Sequence, residues 1–325
     1  MKCLVTGAAG FIGSHLCHRL LEDDNDVIGI DSFTDYYSRD IKEINLSRLA
    51  TFNRFHFIEK DINHLELSPL LSSTDAVFHL AAQAGVRASW GEQFSIYTRN
   101  NIEASQRLLE ACKGISLSKF IYASSSSVYG DCPELPMKES SPLYPYSPYG
   151  VSKLAAEHLC GLYYQNFGVP TVSLRFFTVY GPGQRPDMAF HKFLKAQVDD
   201  SPISVYGDGT QTRDFTYIDD IIIGIIAAWE RGRPGEIYNL GGGNQKKLNS
   251  IFPILEEVTG GPLNIRREPN QKGDVPHTYA SIEKAQHELG FSPKVLLEEG
   301  LKKEWRWIRS LYAQDRSVAP QGQIK

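Results

Sequence analysis

The hydrophobic positions in the first half of the chain follow two alternating patterns. Short apolar runs bounded by glycine, proline or polar residues predict buried strands at residues 2–6, 26–30, 54–59, 76–80, 120–123 and 171–176. Between them, apolar positions three or four residues apart predict helices, most clearly at 12–21, 101–112 and 148–167. Strands that alternate with helices imply right-handed crossovers and a parallel sheet with helices on both faces.

The second half of the chain is less regular and contains more proline and glycine. Helical periodicity predicts helices at about 219–229, 248–258 and 298–312. We therefore predict an α/β domain at residues 1–174 and a smaller domain mainly at 175–312, some segments of which pack back on the first sheet. A polar tail is predicted at 313–325.

Composition and charge narrow the class of protein. The 325 residues carry 34 lysines and arginines against 38 acidic residues, without a basic run, which argues against nucleic acid as a partner. No stretch approaches the roughly 20 apolar residues of a membrane span, and the N-terminal sequence does not resemble a signal peptide. The five cysteines are scattered and form no C-x-x-C pair, so we expect no metal site and a cytoplasmic location.

A glycine-rich loop follows the first predicted strand and opens a helix. Its sequence is G-A-A-G-F-I-G, with glycines at Gly7, Gly10 and Gly13. Glycine allows a tight turn and a close approach to a pyrophosphate, which the helix N-terminus would bind through free N–H groups. The alternative is a tight strand-to-helix turn without a ligand, but the position between strand and helix favours a dinucleotide.

Residues at the ends of the next predicted strands extend this interpretation. Asp31 ends the second strand, where a carboxylate accepts hydrogen bonds from a ribose diol and repels a 2′-phosphate. The sequence thus favours NAD over NADP. The alternative is that Asp31 is an exposed turn acid, but the glycine loop before it favours the ribose contact. We also expect an adenine contact from Asp61 and Ile62. The residues after the fourth strand are small and would let the cofactor lie close to the sheet edge, at Leu80, Ala81 and Ala82.

A tyrosine and a lysine four residues apart supply the candidate chemistry. Tyr149 and Lys153 would lie one turn apart on the same face of the helix that follows Pro148. A nearby ammonium and an oxidised nicotinamide would favour the phenolate, which could then take a proton from a sugar hydroxyl. A surface tyrosine beside a lysine stem is the plain alternative, and only the position beyond a dinucleotide loop favours catalysis.

Four serines, at positions 124–127, follow the fifth predicted strand. Side chains at the carboxyl end of a parallel strand face the crevice where ligands bind, so one serine could bridge the substrate and the tyrosine. The alternative is a polar loop whose serines satisfy their own backbone.

Taken together, these motifs resemble the extended short-chain dehydrogenases/reductases, which include nucleotide-sugar epimerases and dehydratases. G-A-A-G-F-I-G, H-L-A-A, S-S-V-Y-G, Y-G-V-S-K and R-D-F-T-Y-I-D-D occur in the family's order and spacing along nearly the whole chain. The resemblance implies an α/β, Rossmann-type doubly wound parallel sheet with a smaller α/β substrate-binding domain. It also implies Ser125 as the catalytic serine with Tyr149 and Lys153, further NAD contacts at Phe11, Ile12 and Phe176, and substrate contacts at Arg87 and Arg213.

The residues before V-Y-G distinguish reactions within this family. Its 4,6-dehydratases carry Asp-Glu and its UDP-glucuronate decarboxylases usually carry Glu, where this chain has Ser126 and Ser127. Without an extra acid, the simplest chemistry is oxidation followed by return of hydride to the opposite face, which is epimerisation.

The segment from Phe176 to Ala189 resembles the UDP-glucuronate 4-epimerase branch of the family. Thr178, Arg185, Ser126 and Ser127 could donate hydrogen bonds to a substrate carboxylate, although Arg185 could also be a solvated loop charge. Many relatives have an arginine for phosphate where this chain has Gln271, so we expect Lys272 or Arg267 to replace it.

Three other interpretations remain open from the sequence. They are a 4-epimerase of UDP-glucose or UDP-N-acetylglucosamine, a decarboxylase that Ser127 disfavours, and a non-catalytic NAD-binding regulator. The resemblance also implies a homodimer through the helices 101–112 and 149–167, where apolar residues suit either an interface or the core: Leu108, Leu109, Leu154, Leu159 and Tyr163.

Overall fold

The structure is a computed structural model that describes residues 1–269 and 273–317. Its strands, in chain order, are β1 (Lys2–Thr6), β2 (Asp26–Asp31), β3 (Phe55–Glu59), β4 (Ala76–His79), β5 (Lys119–Ser125), β6 (Thr171–Phe176), β7 (Thr178–Tyr180), β8 (Ile203–Tyr206), β9 (Thr212–Tyr217), β10 (Ile237–Leu240), β11 (Gln245–Lys247) and β12 (Ile265–Glu268). Its α-helices are α1 (Phe11–Glu22), α2 (Arg39–Ser47), α3 (Ser68–Leu71), α4 (Phe94–Tyr97), α5 (Ala104–Ala111), α6 (Pro148–Phe167), α7 (Ala189–Val198), α8 (Ile218–Arg231), α9 (Phe252–Thr259), α10 (Glu283–Leu289) and α11 (Leu297–Ser317).

Seven strands form one sheet in the order β10-β6-β5-β4-β1-β2-β3, and neighbouring strands are parallel throughout. The strand order reverses between β1 and β4, so the connections after these strands leave in opposite directions and open a crevice at their carboxyl ends. The predicted Rossmann-type sheet is therefore confirmed, and its crevice is the expected place for a ligand.

Strand β10 is the member of this sheet that the hydrophobic pattern did not predict. It comes from the second half of the chain and pairs in parallel with β6, with Ile237 opposite Ser173 and Leu240 opposite Phe176. Its four residues, I-Y-N-L, are too short for a clear period, which explains the omission. A strand from the second half of the chain thus pairs with the first sheet.

The helix predicted at 101–112 has a different start and an irregular first part. A π-helical segment, Thr98–Glu103, connects α4 to α5, and Asn101 lies within it. The buried Asn101 side chain accepts a hydrogen bond from the Gln83 N–H at 2.7 Å and donates to the Gln83 carbonyl at 3.0 Å and to Ser152 Oγ at 2.8 Å. These bonds hold the helix against the loop after β4, next to the crevice. Single π-helical turns of this kind are frequent at functional sites.

Two smaller sheets lie in the second half of the chain. One contains β11, β9 and β7, and the other pairs β12 with β8. The last helix runs to Ser317, so it continues beyond the predicted end at residue 312 and into the segment expected to be a polar tail. Residues 318–325 lie outside the described part of the chain.

Apolar side chains fill both faces of the large sheet. The residues Leu108, Leu109 and Tyr163, which suit either an interface or the core in sequence, are buried against the face covered by α5 and α6. All five cysteines are buried, and none forms a disulfide. In the described residues, no helix has the length and apolar character to cross a membrane, and no His, Cys, Asp and Glu cluster could hold a metal ion.

Candidate active site

The glycine loop between β1 and α1 is too tight for side chains at two of its positions. Gly7 has a φ of +73°, and a Cβ there would lie 2.9 Å from the backbone nitrogen of Ala81. A Cβ on Gly13 would lie only 2.0 Å from the carbonyl oxygen of Gly7. The loop can therefore form only with glycine, and it brings the start of α1 to the sheet edge.

The first turn of α1 has free donors that face this edge. Gly10 is the N-cap residue and offers no side chain to the N–H groups that follow it. The helix N-terminus, with its positive dipole end, is suited to a pyrophosphate. The glycine loop, which has no room for a Cβ at Gly7 or Gly13, and the unsatisfied N–H groups that follow it therefore fit the pyrophosphate of a dinucleotide.

Asp31 occupies the end of β2, beside the glycine loop. Its carboxylate accepts hydrogen bonds from the Ala9 N–H at 3.1 Å and the Phe33 N–H at 2.9 Å, which fix its orientation. Burial raises the pKa of this carboxyl group, while those N–H groups and the charge of Lys42 oppose the shift. The oriented carboxylate is placed to accept hydrogen bonds from a ribose.

A continuous cleft along the carboxyl edge of the sheet brings the predicted cofactor residues together. It is lined by Gly7, Gly10, Phe11, Ile12, Gly13, Asp31, Asp61, Ile62, Leu80, Ala81, Ala82, Tyr149 and Lys153. Phe176 is not among the described residues that line it, because its side chain packs into the core beneath the sheet edge. Its role as a cofactor contact therefore stays a prediction.

Two of the candidate catalytic residues, Tyr149 and Lys153, line the same cleft, whereas Ser125 contacts Tyr149 but is not among the described residues that line the cleft. Pro148 begins α6, and the Ser147 side chain caps it by accepting a hydrogen bond from the Gly150 N–H at 3.1 Å. This cap fixes Tyr149 in the first turn, with Lys153 one turn later. Tyr149 forms a hydrogen bond with Ser125 at the end of β5. The Ser125 side chain also accepts a hydrogen bond from the Ser127 N–H at 3.2 Å.

Burial shifts both titrating groups toward their neutral forms. It raises the pKa of the Tyr149 phenol, against the hydrogen bond from Ser125 and the positive charge of Arg185. It lowers the pKa of Lys153 to about 7, although the nearby Glu157 carboxylate opposes this shift. The Lys153 ammonium lies 4.5 Å from the centre of the Tyr122 ring, which stabilises the charged form. A tyrosine and a lysine with perturbed pKa values in one cleft are typical of acid–base catalysis.

A second cavity adjoins the cleft and contains three of the six predicted substrate residues. Arg87, Thr178 and Arg213 line it, and a smaller neighbouring pocket is lined by Thr178 and Arg213 together with Ser126 and Ser127. The structure thus brings these five residues together from the turn after β5, from β7 and β9, and from the loop after β4.

The two arginines of this cavity are held in different ways. Arg87 donates to Asp274 at 2.6 Å and stacks over the Tyr206 ring at 4.2 Å. Arg213 donates to the backbone carbonyls of Thr212 at 2.8 Å and Pro276 at 3.1 Å. Both charges are therefore positioned at the cavity wall, where an anionic ligand would meet them.

Of the two residues predicted to replace the phosphate-binding arginine, Lys272 and Arg267, the structure describes only Arg267. Gln271 and Lys272 lie outside the described residues. Arg267 donates to Asn249 at 3.1 Å and is not one of the described residues that line the two substrate cavities.

Arg185 lines the cofactor cleft with Tyr149 rather than the second cavity. It forms a two-point ion pair with Asp187, and the Tyr36 hydroxyl donates to the same carboxylate. Tyr36 and Asp187 were not among the residues predicted from sequence, although the polar aromatic run at 35–37 follows Asp31 closely enough to suggest a role for Tyr36.

Comparison with known proteins agrees with this geometry. The model of the NAD dependent epimerase/dehydratase family matches residues 3–241. A Bacillus subtilis (strain 168) protein named "Uncharacterized UDP-glucose epimerase YtcB" is 46% identical and covers 96% of this chain and 99% of its own. A UDP-glucuronate 4-epimerase from Thermodesulfobacterium geofontis is 40% identical over 94% of this chain and 95% of its own.

A solved structure is also similar over nearly the whole chain. The UDP-glucuronic acid 4-epimerase from Bacillus cereus, in complex with UDP-glucuronic acid and NAD, has a TM-score of 0.94 and 49% identity. The alignment covers 96% of this chain and 100% of that one. The chain therefore belongs to the NAD dependent epimerase/dehydratase family, a branch of the extended short-chain dehydrogenases/reductases.

Proposed function

We propose that the protein is a UDP-glucuronate 4-epimerase, an isomerase that interconverts UDP-glucuronate and UDP-galacturonate. The observation that carries the proposal is the position of Arg185, whose guanidinium lines the same cleft as Tyr149 and Lys153. A fixed positive charge beside the acid–base residues suits a sugar that carries a carboxylate close to its reacting carbon. The B. cereus and T. geofontis relatives, with this activity in their names, support the same assignment.

In this proposal, Tyr149 takes the proton of the 4-hydroxyl group and later returns it. The hydrogen bond with Ser125 orients the phenol, and this bond and the positive charge of Arg185 favour the phenolate. Lys153, one turn later on the same helix, would favour the phenolate further when its amine is protonated. NAD, which the glycine loop and Asp31 would hold, would supply reversible hydride transfer at C4, so the reaction would need no net oxidant. Rotation of the 4-keto sugar between the two transfers presents its other face and inverts the centre.

The hydroxyl groups near the sugar have a second proposed role. The 4-keto hexuronate is a β-keto acid, which loses carbon dioxide readily when its carboxylate can align with the ketone. Thr178, Ser126 and Ser127 line one pocket, where they would hold the carboxylate in a poor geometry for that loss. Arg87 and Arg213 would bind the diphosphate.

The test is to incubate the purified protein, without added NAD, with UDP-glucuronate and separately with UDP-glucose. We expect UDP-galacturonate from the first substrate and little UDP-galactose from the second, with products identified by NMR. Formation of UDP-galactose from UDP-glucose, without UDP-galacturonate from UDP-glucuronate, would overturn the hexuronate assignment. A pentose product would instead identify a decarboxylase.

A second candidate function is the 4-epimerisation of UDP-glucose or UDP-N-acetylglucosamine. The printed name of the B. subtilis relative favours it. The charged pair at Arg185 counts against it, because a neutral sugar would not use that charge. A non-catalytic regulator has less support, since Tyr149 and Lys153 both line the cleft and Ser125 forms a hydrogen bond with Tyr149.

The preference for NAD over NADP gives a prediction for Asp31. Replacing it with asparagine should weaken NAD binding by about ten-fold, because hydrogen bonds from the ribose to a charged acceptor are lost. The same change removes the repulsion of a 2′-phosphate, so NADP binding should weaken less or improve. Titration of nucleotide-free protein measures both dissociation constants.

Asp26 provides the control for this variant, since it lies exposed at the start of the same strand. Asp26→Asn should leave both dissociation constants unchanged. An Asp31→Asn variant that kept the wild-type ratio of NAD to NADP affinity would refute the ribose contact.

Several broader assignments are also proposals. We assign residues 1–174 mainly to NAD binding, joined by β10, and residues 175–312 mainly to the substrate. A homodimer is proposed through α6, where Val151 is 48% and Leu162 53% exposed, rather than through the buried Leu108 and Leu109. A cytoplasmic location stays a prediction from the sequence.

A further inference from the structure

We propose that Asp187 and Tyr36 are positioning residues that hold the Arg185 guanidinium in the wall between the cofactor cleft and the substrate cavity. In this position the free edge of the guanidinium recognises the carboxylate of a nucleotide-linked hexuronate. The inference rests on the proposed function and deepens it, because it assigns the selection of an acidic sugar to a set of three residues.

The ion pair uses only one edge of the guanidinium. Arg185 Nε donates to Asp187 Oδ1 at 2.9 Å, and Nη2 donates to Oδ2 at 3.1 Å. A guanidinium has five N–H donors, so this pair leaves both donors of Nη1 and one of Nη2. One N–H of Nη1 and the remaining N–H of Nη2 point the same way and form a second edge with the spacing of a carboxylate. A substrate carboxylate can therefore bind Arg185 without displacing Asp187.

The backbone brings the two partners together within one turn. The Met188 N–H donates to the Arg185 carbonyl at 3.1 Å, which closes a turn over residues 185–188. The side chains of Arg185 and Asp187 are 24% and 31% exposed, so the pair is partly shielded from water. Such a bidentate pair restricts the rotamers of a long side chain that would otherwise be free in the cleft.

Tyr36 makes a further contact with the Asp187 carboxylate, at the oxygen that also accepts from Arg185 Nη2. Its hydroxyl donates to Asp187 Oδ2 at 3.1 Å across 151 residues of sequence. The loop after β4 lies directly against that hydroxyl, because a Cβ on Gly85 would be 2.0 Å from it. The Gly85 carbonyl accepts a hydrogen bond from the Tyr97 hydroxyl at 2.8 Å, which holds this loop in place.

The positions of the three residues match the proposed task. Arg185 lines the cofactor cleft, Asp187 lines the substrate cavity, and Tyr36 lines both. Asp187 thus holds the guanidinium from the side of the substrate cavity, while the positive charge of Arg185 lowers the pKa of the Tyr149 phenol. A sugar that reaches Tyr149 must pass this charge.

The chain contains a chemically matched control far from the cleft. Arg233 forms a two-point ion pair with Glu288, at 3.1 Å and 2.6 Å, and the Tyr238 hydroxyl donates to the same carboxylate at 2.7 Å. None of these three residues is among those described as lining the cleft or the substrate cavities. Glu288→Gln and Tyr238→Phe therefore make the same chemical changes without touching the site.

The experiment measures binding in a Tyr149→Phe background, where turnover does not interfere. Dissociation constants are determined by calorimetry for UDP-glucuronate, UDP-glucose and UDP. We expect Asp187→Asn to weaken UDP-glucuronate binding by about ten-fold or more, as for the loss of a charged hydrogen-bonding partner. Binding of UDP-glucose and UDP should change by less than about two-fold, because neither carries the carboxylate. Tyr36→Phe should give a smaller effect with the same selectivity.

Equal losses for all three ligands would overturn the proposal, since a general distortion of the cavity does not distinguish them. Unchanged or tighter UDP-glucuronate binding in Asp187→Asn would also overturn it, because Asp187 would then be a bystander or a competitor. The same holds if Glu288→Gln and Tyr238→Phe reproduce the pattern.

Formation of UDP-galacturonate by the wild-type protein separates this inference from the proposed function. If product forms but the Asp187 variant shows no selective loss, only the positioning role fails. If no product forms, the hexuronate assignment fails and the positioning role fails with it.

Discussion

Replacing Tyr149 with phenylalanine should reduce epimerisation by about 10³-fold or more, the scale of a lost general acid–base group. The Tyr149 phenol forms a hydrogen bond with Ser125, and both this bond and the positive charge of Arg185 lower its pKa. Removing the phenol oxygen leaves no base placed for the 4-hydroxyl proton. The rate is measured as conversion of UDP-glucuronate to UDP-galacturonate at saturating substrate.

The fold should tolerate this change, because the ring keeps its packing. The Tyr149 ring meets the Tyr97 ring edge-on, with 6.2 Å between centroids, and phenylalanine can keep that contact. Tyr164→Phe, on the exposed side of the same helix, serves as the control and should retain wild-type activity. A Tyr149→Phe variant within ten-fold of the wild-type rate would remove Tyr149 from the mechanism.

The second large effect concerns stability and comes from a buried ion pair behind the site. Glu157, on α6, accepts from Arg175 Nη2 at 2.6 Å, from Arg175 Nε at 3.1 Å and from the Ser124 hydroxyl at 2.6 Å. Arg175 also donates to the Tyr129 hydroxyl at 2.8 Å. Both charged side chains are almost fully buried, at 1% and 2% exposure.

Glu157→Gln should lower the free energy of unfolding by about 3–5 kcal/mol, because it leaves the buried Arg175 charge without its counter-ion. Urea unfolding followed by circular dichroism measures the change. In contrast, Glu230→Gln breaks a pair with Arg231 that is half exposed, and should cost no more than about 1 kcal/mol. Equal midpoints for the two variants would mean that Arg175 finds another partner or loses its charge.

The parts of the molecule that local patterns determine were predicted well from the sequence. The strand β1, the glycine loop and α1 follow one another within 22 residues, and each has its own signal. Tyr149 and Lys153 share a face because helix geometry places residues four apart together. The cleft could therefore be assembled from the rule that parallel strands present their carboxyl ends at one edge.

The contacts that join distant segments were not predictable in this way. The hydrogen bond from Tyr36 to Asp187 depends on how the loops after β2 and β7 meet, and neither loop has a period to indicate it. The π-helical turn around Asn101 arises from a side chain that bonds the backbone of Gln83, so the apolar spacing of the helix does not reveal it. The ion pair of Arg175 with Glu157 likewise joins a strand to a helix that the sequence predicts separately.

Strand β10 has a consequence for the order in which the chain can fold during synthesis. The outer edge of β6 consists of buried residues, and the strand that covers it ends at Leu240. A ribosome must therefore make more than 60 further residues after β6 before that edge can be closed. Until then the nascent sheet presents an unpaired strand edge, the kind of surface that aggregates or recruits chaperones. The glycine loop emerges first, but the sheet that supports it is completed late in translation.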